Sequence, residues 1–69
     1  MTFEEFVSQL HLPITAKEQL PLVLSKKTKE KLMMHSDAED IILSAILEIE
    51  RGSIEPINEL VSKHLNDMI

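Results

Sequence analysis

The sequence contains no cysteine, so this chain of 69 residues has neither a disulfide nor a thiolate metal site available to it. A chain this short buries only about 60% of the surface that its unfolded form exposes, which leaves its core marginal. Small domains compensate with disulfides, a structural metal, oligomerisation or very regular helix packing. Without cysteine, oligomerisation becomes the expected form of compensation.

Glycine and aromatic residues are also scarce. There is one glycine, no Trp, no Tyr and two Phe. One glycine cannot build a loop that cradles phosphate groups, and two Phe offer no stacking platform for single-stranded nucleic acid. The net charge of −5 argues further against nucleic acid as a partner, because phosphate contacts dominate such binding.

Long apolar runs are missing as well. The longest apolar stretches are residues 20–24, which include Pro21, and residues 41–43, whereas a membrane span needs about 20 mostly apolar residues. The first residues are acidic where a secretory signal is basic. We therefore expect a cytoplasmic protein without a membrane segment.

Polar residues that could carry chemistry occur without the spacing that chemistry needs. The three histidines lie on separate segments, and the acids at 37–40 lack the pattern of a calcium loop. His35 lies near a helix C-terminus, which favours the charged imidazole, but the ordinary interpretation is a histidine beside capping acids at a helix junction. We expect His64 to hydrogen-bond a carbonyl. No Gly-x-Ser-x-Gly elbow is present. We therefore expect no enzyme, no catalytic residue, no cofactor and no metal.

What the sequence does contain is a series of helix-start signals. A capping box pairs a Ser or Thr with a Glu three residues later, so that each side chain satisfies a free N–H at a helix start. Three such pairs occur: Thr2 with Glu5, Thr15 with Glu18, and Ser36 with Glu39. They predict one helix from Thr2 towards Pro13, about one helical turn before Pro21, and a third helix from residue 37.

The segment from residue 20 to residue 24 is open to two interpretations. It could be extended, or it could begin a helix with Pro21 at the first position. We favour the extended form. Ser25 then caps a lysine-rich helix that runs to about His35, with Thr28 and Leu32 facing inward.

The C-terminal half predicts two helices, 37–51 and 54–68, that pack as a hairpin. Gly52 is a typical C-terminal cap, and Ser53 and Pro56 suit the start of the next helix. The short connection between them leaves only an antiparallel or sharply angled pair. The chain is therefore predicted to be one all-α domain, residues 1–69, a small bundle of three to four short helices that forms an oligomer.

Helix 37–51 is apolar on more than one side. Its Ile, Leu and Ala residues spread over roughly 240° of the helical wheel, more than twice the stripe of a helix buried on one side. The rest of this chain is too small to cover both sides. We therefore predict that Leu43, Ile46 and Leu47 form a subunit or partner interface.

One short basic segment interrupts the acidic chain: residues 26–31 contain Lys26, Lys27, Lys29 and Lys31 with one Glu. The ordinary interpretation is a solvated helix face, and the functional one is an anion-binding surface. An extended segment at 20–24 followed by helices from 25 and from 37 resembles the ribbon-helix-helix family of DNA-binding regulators. That resemblance covers residues 20–49. It implies a dimer whose paired strands enter the major groove.

Two hypotheses for function follow. The first is a non-enzymatic helical interaction module that associates with itself and binds another protein. The alternative is a small ribbon-helix-helix-like DNA-binding regulator. We place it second because Pro21 would remove a hydrogen bond from the strand pair.

Overall fold

The computed structural model describes residues 2–67, and every regular element within them is an α-helix. The helices are α1 (Phe3–Ser8), α2 (Ile14–Val23), α3 (Lys26–Met33), α4 (Ala38–Glu50) and α5 (Ile57–Asp67). The predicted all-α class is confirmed. The described residues form five helices rather than three to four, because α2 is a full helix where one turn was expected.

Helix α1 begins as predicted but ends early. The hydroxyl of Thr2 accepts a hydrogen bond from the backbone N–H of Glu5 at 3.2 Å, which is the threonine half of the predicted capping box. After Ser8 the next two backbone N–H groups donate to carbonyls three residues back, which tightens the turn and ends the helix. The extension towards Pro13 is therefore wrong.

The stretch at residues 20–24 is helical up to Val23, and only the C-cap residue Leu24 has extended dihedral angles. Pro21 costs the helix one backbone hydrogen bond. However, Leu20 and Leu24 are both buried, one turn apart, and the N–H of Leu24 donates to the carbonyl of Leu20. Burial of this leucine pair outweighs the cost of the proline, so the extended interpretation is wrong.

Two of the three predicted capping boxes do not form. Helix α2 begins one residue before Thr15, with Pro13 at its N-cap and no side-chain cap. Helix α4 has Asp37 rather than Ser36 at its N-cap, again without a side-chain cap. The carboxylate of Glu39 is held by a different part of the chain, described below.

The lysine-rich helix is confirmed. The hydroxyl of Ser25 accepts a hydrogen bond from the backbone N–H of Thr28 at 3.3 Å. Thr28 and Leu32 are buried, as their positions predicted. Helix α3 ends at Met33, within two residues of the expected end.

The predicted end of α4 agrees with the structure, but the predicted start of α5 does not. Helix α4 ends before Gly52, whose φ of 101° is the left-handed conformation expected there. Helix α5 begins at Ile57, three residues later than predicted, and leaves Ile54 98% exposed in the connection. The carbonyl of Pro56 accepts the first hydrogen bonds of this helix. The expected end of this helix at residue 68 lies outside the described residues.

The core draws on all five helices. Helices α4 and α5 contact each other most extensively, α3 packs on α5 and α1, and α1 also packs on α2. The most deeply buried side chains are Val7, Leu20, Leu32, Ile42, Leu60 and Val61. Between residues 2 and 67, no helix has the length and apolar character needed to cross a membrane.

Candidate interaction surface

The outward side of α4 carries an aliphatic pair. Leu43 and Leu47 lie one turn apart, with 38% and 44% of their surface exposed. On its buried side the same helix contributes Ala38, Ile41, Ile42 and Ala45 to the core. Helix α4 therefore presents apolar side chains both to the core and to solvent.

Ile46, the third residue of the predicted interface, is placed differently. It is half-buried, packs against the core and faces α2. The structure thus brings Leu43 and Leu47 together on the exposed side and sets Ile46 at the edge of that side. We call Leu43 and Leu47 the α4 outer face.

An apolar groove of about 310 Å³ lies between α2, the C-terminal half of α4 and the start of α5. We call it the α2–α4 groove. Its walls include Ala16, Gln19 and Val23 from α2 and Ile46, Ile49 and Glu50 from α4. Val23 and Ile49 are 47% and 40% exposed, so this apolar surface is open to a ligand.

The sequence reasoning missed the α2 wall of this groove. The i, i+3, i+7 spacing of Ala16, Gln19 and Val23 is the signal that could have found it, because these positions share one side of a helix. The extended interpretation of residues 20–24 removes Val23 from that side of the helix.

The charges on α4 are not evenly placed. Asp40 and Arg51 are both exposed and lie about three turns, or ~16 Å, apart along the helix axis. At about 100° per residue, both fall within about 40° of Leu47 on the helical wheel. The α4 outer face is therefore flanked by a negative charge near one end and a positive charge near the other.

The loop between α1 and α2 is held on α4 by His11 and Glu39. The backbone N–H of His11 donates to Oε1 of Glu39 at 2.6 Å, and the ring Nδ1 lies 3.2 Å from the same oxygen. The backbone hydrogen bond is the main reason that the pKa of Glu39 lies below its ordinary value, and partial desolvation opposes it. Glu39 thus binds a distant loop instead of capping its own helix.

The other two histidines also contact residues of the described chain. Nε2 of His64 lies 2.8 Å from Oε2 of Glu48, so its partner is a carboxylate of α4 and not the carbonyl expected from sequence. Nδ1 of His35 accepts a hydrogen bond from the backbone N–H of Asp37 at 3.1 Å.

The lysine cluster on α3 is not uniformly exposed. Lys26, Lys27 and Lys31 are exposed, but Lys29 is half-buried, and its Nζ lies 5.6 Å from the centre of the Phe3 ring. This cation–π distance gives Lys29 a role in packing α3 against α1.

The segment that would supply the strand of a ribbon-helix-helix dimer lies in α2. No strand occurs anywhere in residues 2–67. In the same range no three His, Asp or Glu side chains gather in a group that could hold a metal ion.

Comparison with known proteins identified no relative of this chain. No protein-family model matches this sequence, and neither the curated proteins nor the solved structures gave a significant match.

Proposed function

We propose that this protein is a non-enzymatic interaction module that pairs with a second copy of itself through the α4 outer face. The observation that supports this most directly is the exposed Leu43 and Leu47 pair, with Asp40 and Arg51 placed near opposite ends of the same helix side. Apolar side chains supply the attraction, and the two charges select the orientation.

An antiparallel arrangement of two α4 helices satisfies both features. A two-fold axis passing opposite the middle of α4 brings Leu43 of each copy against Leu47 of the other. The same operation brings each Asp40 close to Arg51 of the other copy, so the ion pair forms twice. Such an interface is isologous, the usual form in symmetric dimers.

The expected interface is small. A standard protein interface removes about 800 Å² from each partner, which is roughly one sixth of the 4700 Å² that this chain exposes. Two leucines and their neighbours on one helix cover less than that. We therefore propose a dimer that forms and dissociates with concentration.

Sedimentation velocity from about 10 μM to about 1 mM protein tests this proposal, because weak interfaces fall in that range of dissociation constants. We expect the mean mass to rise towards that of a dimer. Leu47→Lys places a charge in the interface and should weaken association at least tenfold, while leaving the helical circular dichroism unchanged because Leu47 is 44% exposed.

Leu22→Lys is the matched control, because Leu22 is 83% exposed on α2 and lies outside the α4 outer face. It should leave association unchanged. A wild-type chain that remains monomeric over the whole range would contradict the proposal. So would a Leu47→Lys variant that associates like the wild type.

The structure offers no specific observation for the ribbon-helix-helix alternative, whose pairing strand would lie where α2 is helical. We do not carry that arrangement further. Binding of anions by the lysine cluster stays a prediction.

A further inference from the structure

We propose that the α2–α4 groove binds an amphipathic, basic helix presented by another protein. This goes beyond self-association and does not rest on it, because neither Leu43 nor Leu47 lines the groove, although Glu50 lies within about 20° of Leu43 on the helical wheel. The occupant is specified by the shape of the groove, by its single charged lining residue and by what the rest of this chain cannot supply.

The groove has the dimensions of a helix-binding site. Its α2 wall runs from Ala16 to Val23, which spans about two helical turns, or ~10 Å. A helix of about three turns would place two or three apolar side chains at i, i+3 and i+7 in contact with this wall. Peptides that bind in this manner lay one apolar face into a groove between helices.

The charge of the groove favours a basic ligand. Glu50 is the one charged residue in the lining, and it forms no ion pair with any residue between 2 and 67. Lys17 is the lysine of α2, the helix that forms one wall of the groove. Its Nζ donates to the carbonyl of Ser8 at 3.3 Å, so it does not pair with Glu50. A Lys or Arg beside the apolar face of the ligand would pair with Glu50.

A second copy of this chain does not fit as the occupant. Two copies meeting groove to groove would bring their Glu50 side chains together, which costs free energy. The basic helix of a second copy, α3, has its inward residues Thr28 and Leu32 buried in its own core, so this side of the helix is not free to insert. A separate protein is therefore the proposed partner.

Fluorescence anisotropy with two synthetic peptides tests the proposal on the full chain. Both peptides are amphipathic helices of about 14 residues with leucine on one face. One has lysine on the other face, and its match has glutamate at every lysine position. We expect the lysine peptide to bind and the glutamate peptide to bind at least fivefold more weakly.

Variants of the chain locate the site. Glu50→Lys should weaken binding of the lysine peptide about fivefold, the upper range for a surface ion pair. Glu59→Lys makes the same change in net charge outside the groove and should have less than about a twofold effect. Ala16→Leu fills the groove and should weaken binding about tenfold, with circular dichroism confirming that the helices remain.

Three other outcomes would contradict the proposal. Equal weakening by Glu50→Lys and Glu59→Lys would mean general attraction to an acidic chain. Equal affinity for both peptides would mean that the charge of the groove selects nothing, and no binding by either would mean that the groove is not a helix site. Leu47→Ser should weaken self-association without placing a cation one turn from Glu50, and it should bind the lysine peptide as the wild type does. Failure of self-association and failure of groove binding can therefore be told apart.

Discussion

Nε2 of His64 lies 2.8 Å from Oε2 of Glu48, so a polar contact joins α5 to α4 beside the apolar contact between these helices. Both side chains are partly exposed, at 30% and 44% of their surface. Solvent therefore weakens the contact, and its net contribution to the free energy of unfolding is about 0.5–1 kcal/mol.

We expect His64→Ala and Glu48→Gln each to lower the free energy of unfolding by about 1 kcal/mol. The double variant should lose less than the sum of the two, because His64→Ala removes the shared contact and Glu48→Gln removes its charge. Urea unfolding monitored by circular dichroism measures the free energy of unfolding of the wild type, the two single variants and the double variant. Glu50→Gln is the control on the same helix, and a strictly additive double variant would contradict a direct contact.

The His11–Glu39 contact predicts how stability depends on pH. Because the folded-state pKa of Glu39 is lowered, the carboxylate stabilises the fold at pH values above its ordinary pKa of 4.5. This contribution is lost as the pH falls through the lowered folded-state value. We expect Glu39→Gln to reduce the loss of stability between about pH 5 and pH 3, measured as the urea midpoint at each pH.

The matched variant His11→Ala separates the two parts of this contact. It removes the imidazole but keeps the backbone N–H that is the main cause of the lowered pKa. It should therefore retain most of the acid sensitivity of the wild type. An acid profile as flat as that of Glu39→Gln would show that the ring, and not the backbone, holds the carboxylate.

Local signals in the sequence predicted the elements that are stabilised locally. Ser25 caps α3, and Gly52 ends α4, because a hydroxyl at an N-cap and a left-handed glycine act within one turn of the chain. The inward positions of α3, Thr28 and Leu32, followed from helical periodicity. These features do not depend on the rest of the fold.

Tertiary contacts decided the features that the sequence did not reveal. Glu39 has the position of a capping residue, but its carboxylate binds the backbone of His11, a residue 28 positions away in the chain. Leu20 and Leu24 are buried by other helices, which keeps Pro21 within a helix. The α2–α4 groove depends on that helix and was missed for the same reason.

Pro21→Ala tests whether burial holds α2 together despite the proline. Alanine restores an N–H that can donate to the carbonyl of Lys17 and removes a cost of about 3 kcal/mol for proline inside a helix. Greater freedom of the unfolded chain offsets about 0.4–1 kcal/mol of this gain. We expect a net rise of about 2–2.5 kcal/mol in the free energy of unfolding, seen as a higher midpoint in urea. A lower midpoint would show that the fold requires the proline.

The lysine cluster predicts little affinity for DNA. The net charge is −5, and Lys29 lies over the Phe3 ring. We expect no shift of duplex DNA in a gel at about 50 mM salt, where phosphate contacts are strongest. A salt-dependent shift that weakens when Lys26 and Lys27 are changed to Gln would contradict this and restore the DNA-binding alternative.

The orientation of the proposed dimer is tested by exchanging Asp40 and Arg51. In the antiparallel arrangement each Asp40 faces Arg51 of the other copy, so Arg51→Asp replaces two attractions with two repulsions. We expect this single variant to dissociate about tenfold more readily in sedimentation, a cost of about 1.4 kcal/mol. The double variant Asp40→Arg with Arg51→Asp restores two opposite-charge pairs in reversed positions and should recover most of the wild-type association. If the double variant is as weak as the single, the two residues do not meet, and the copies pair in some other orientation.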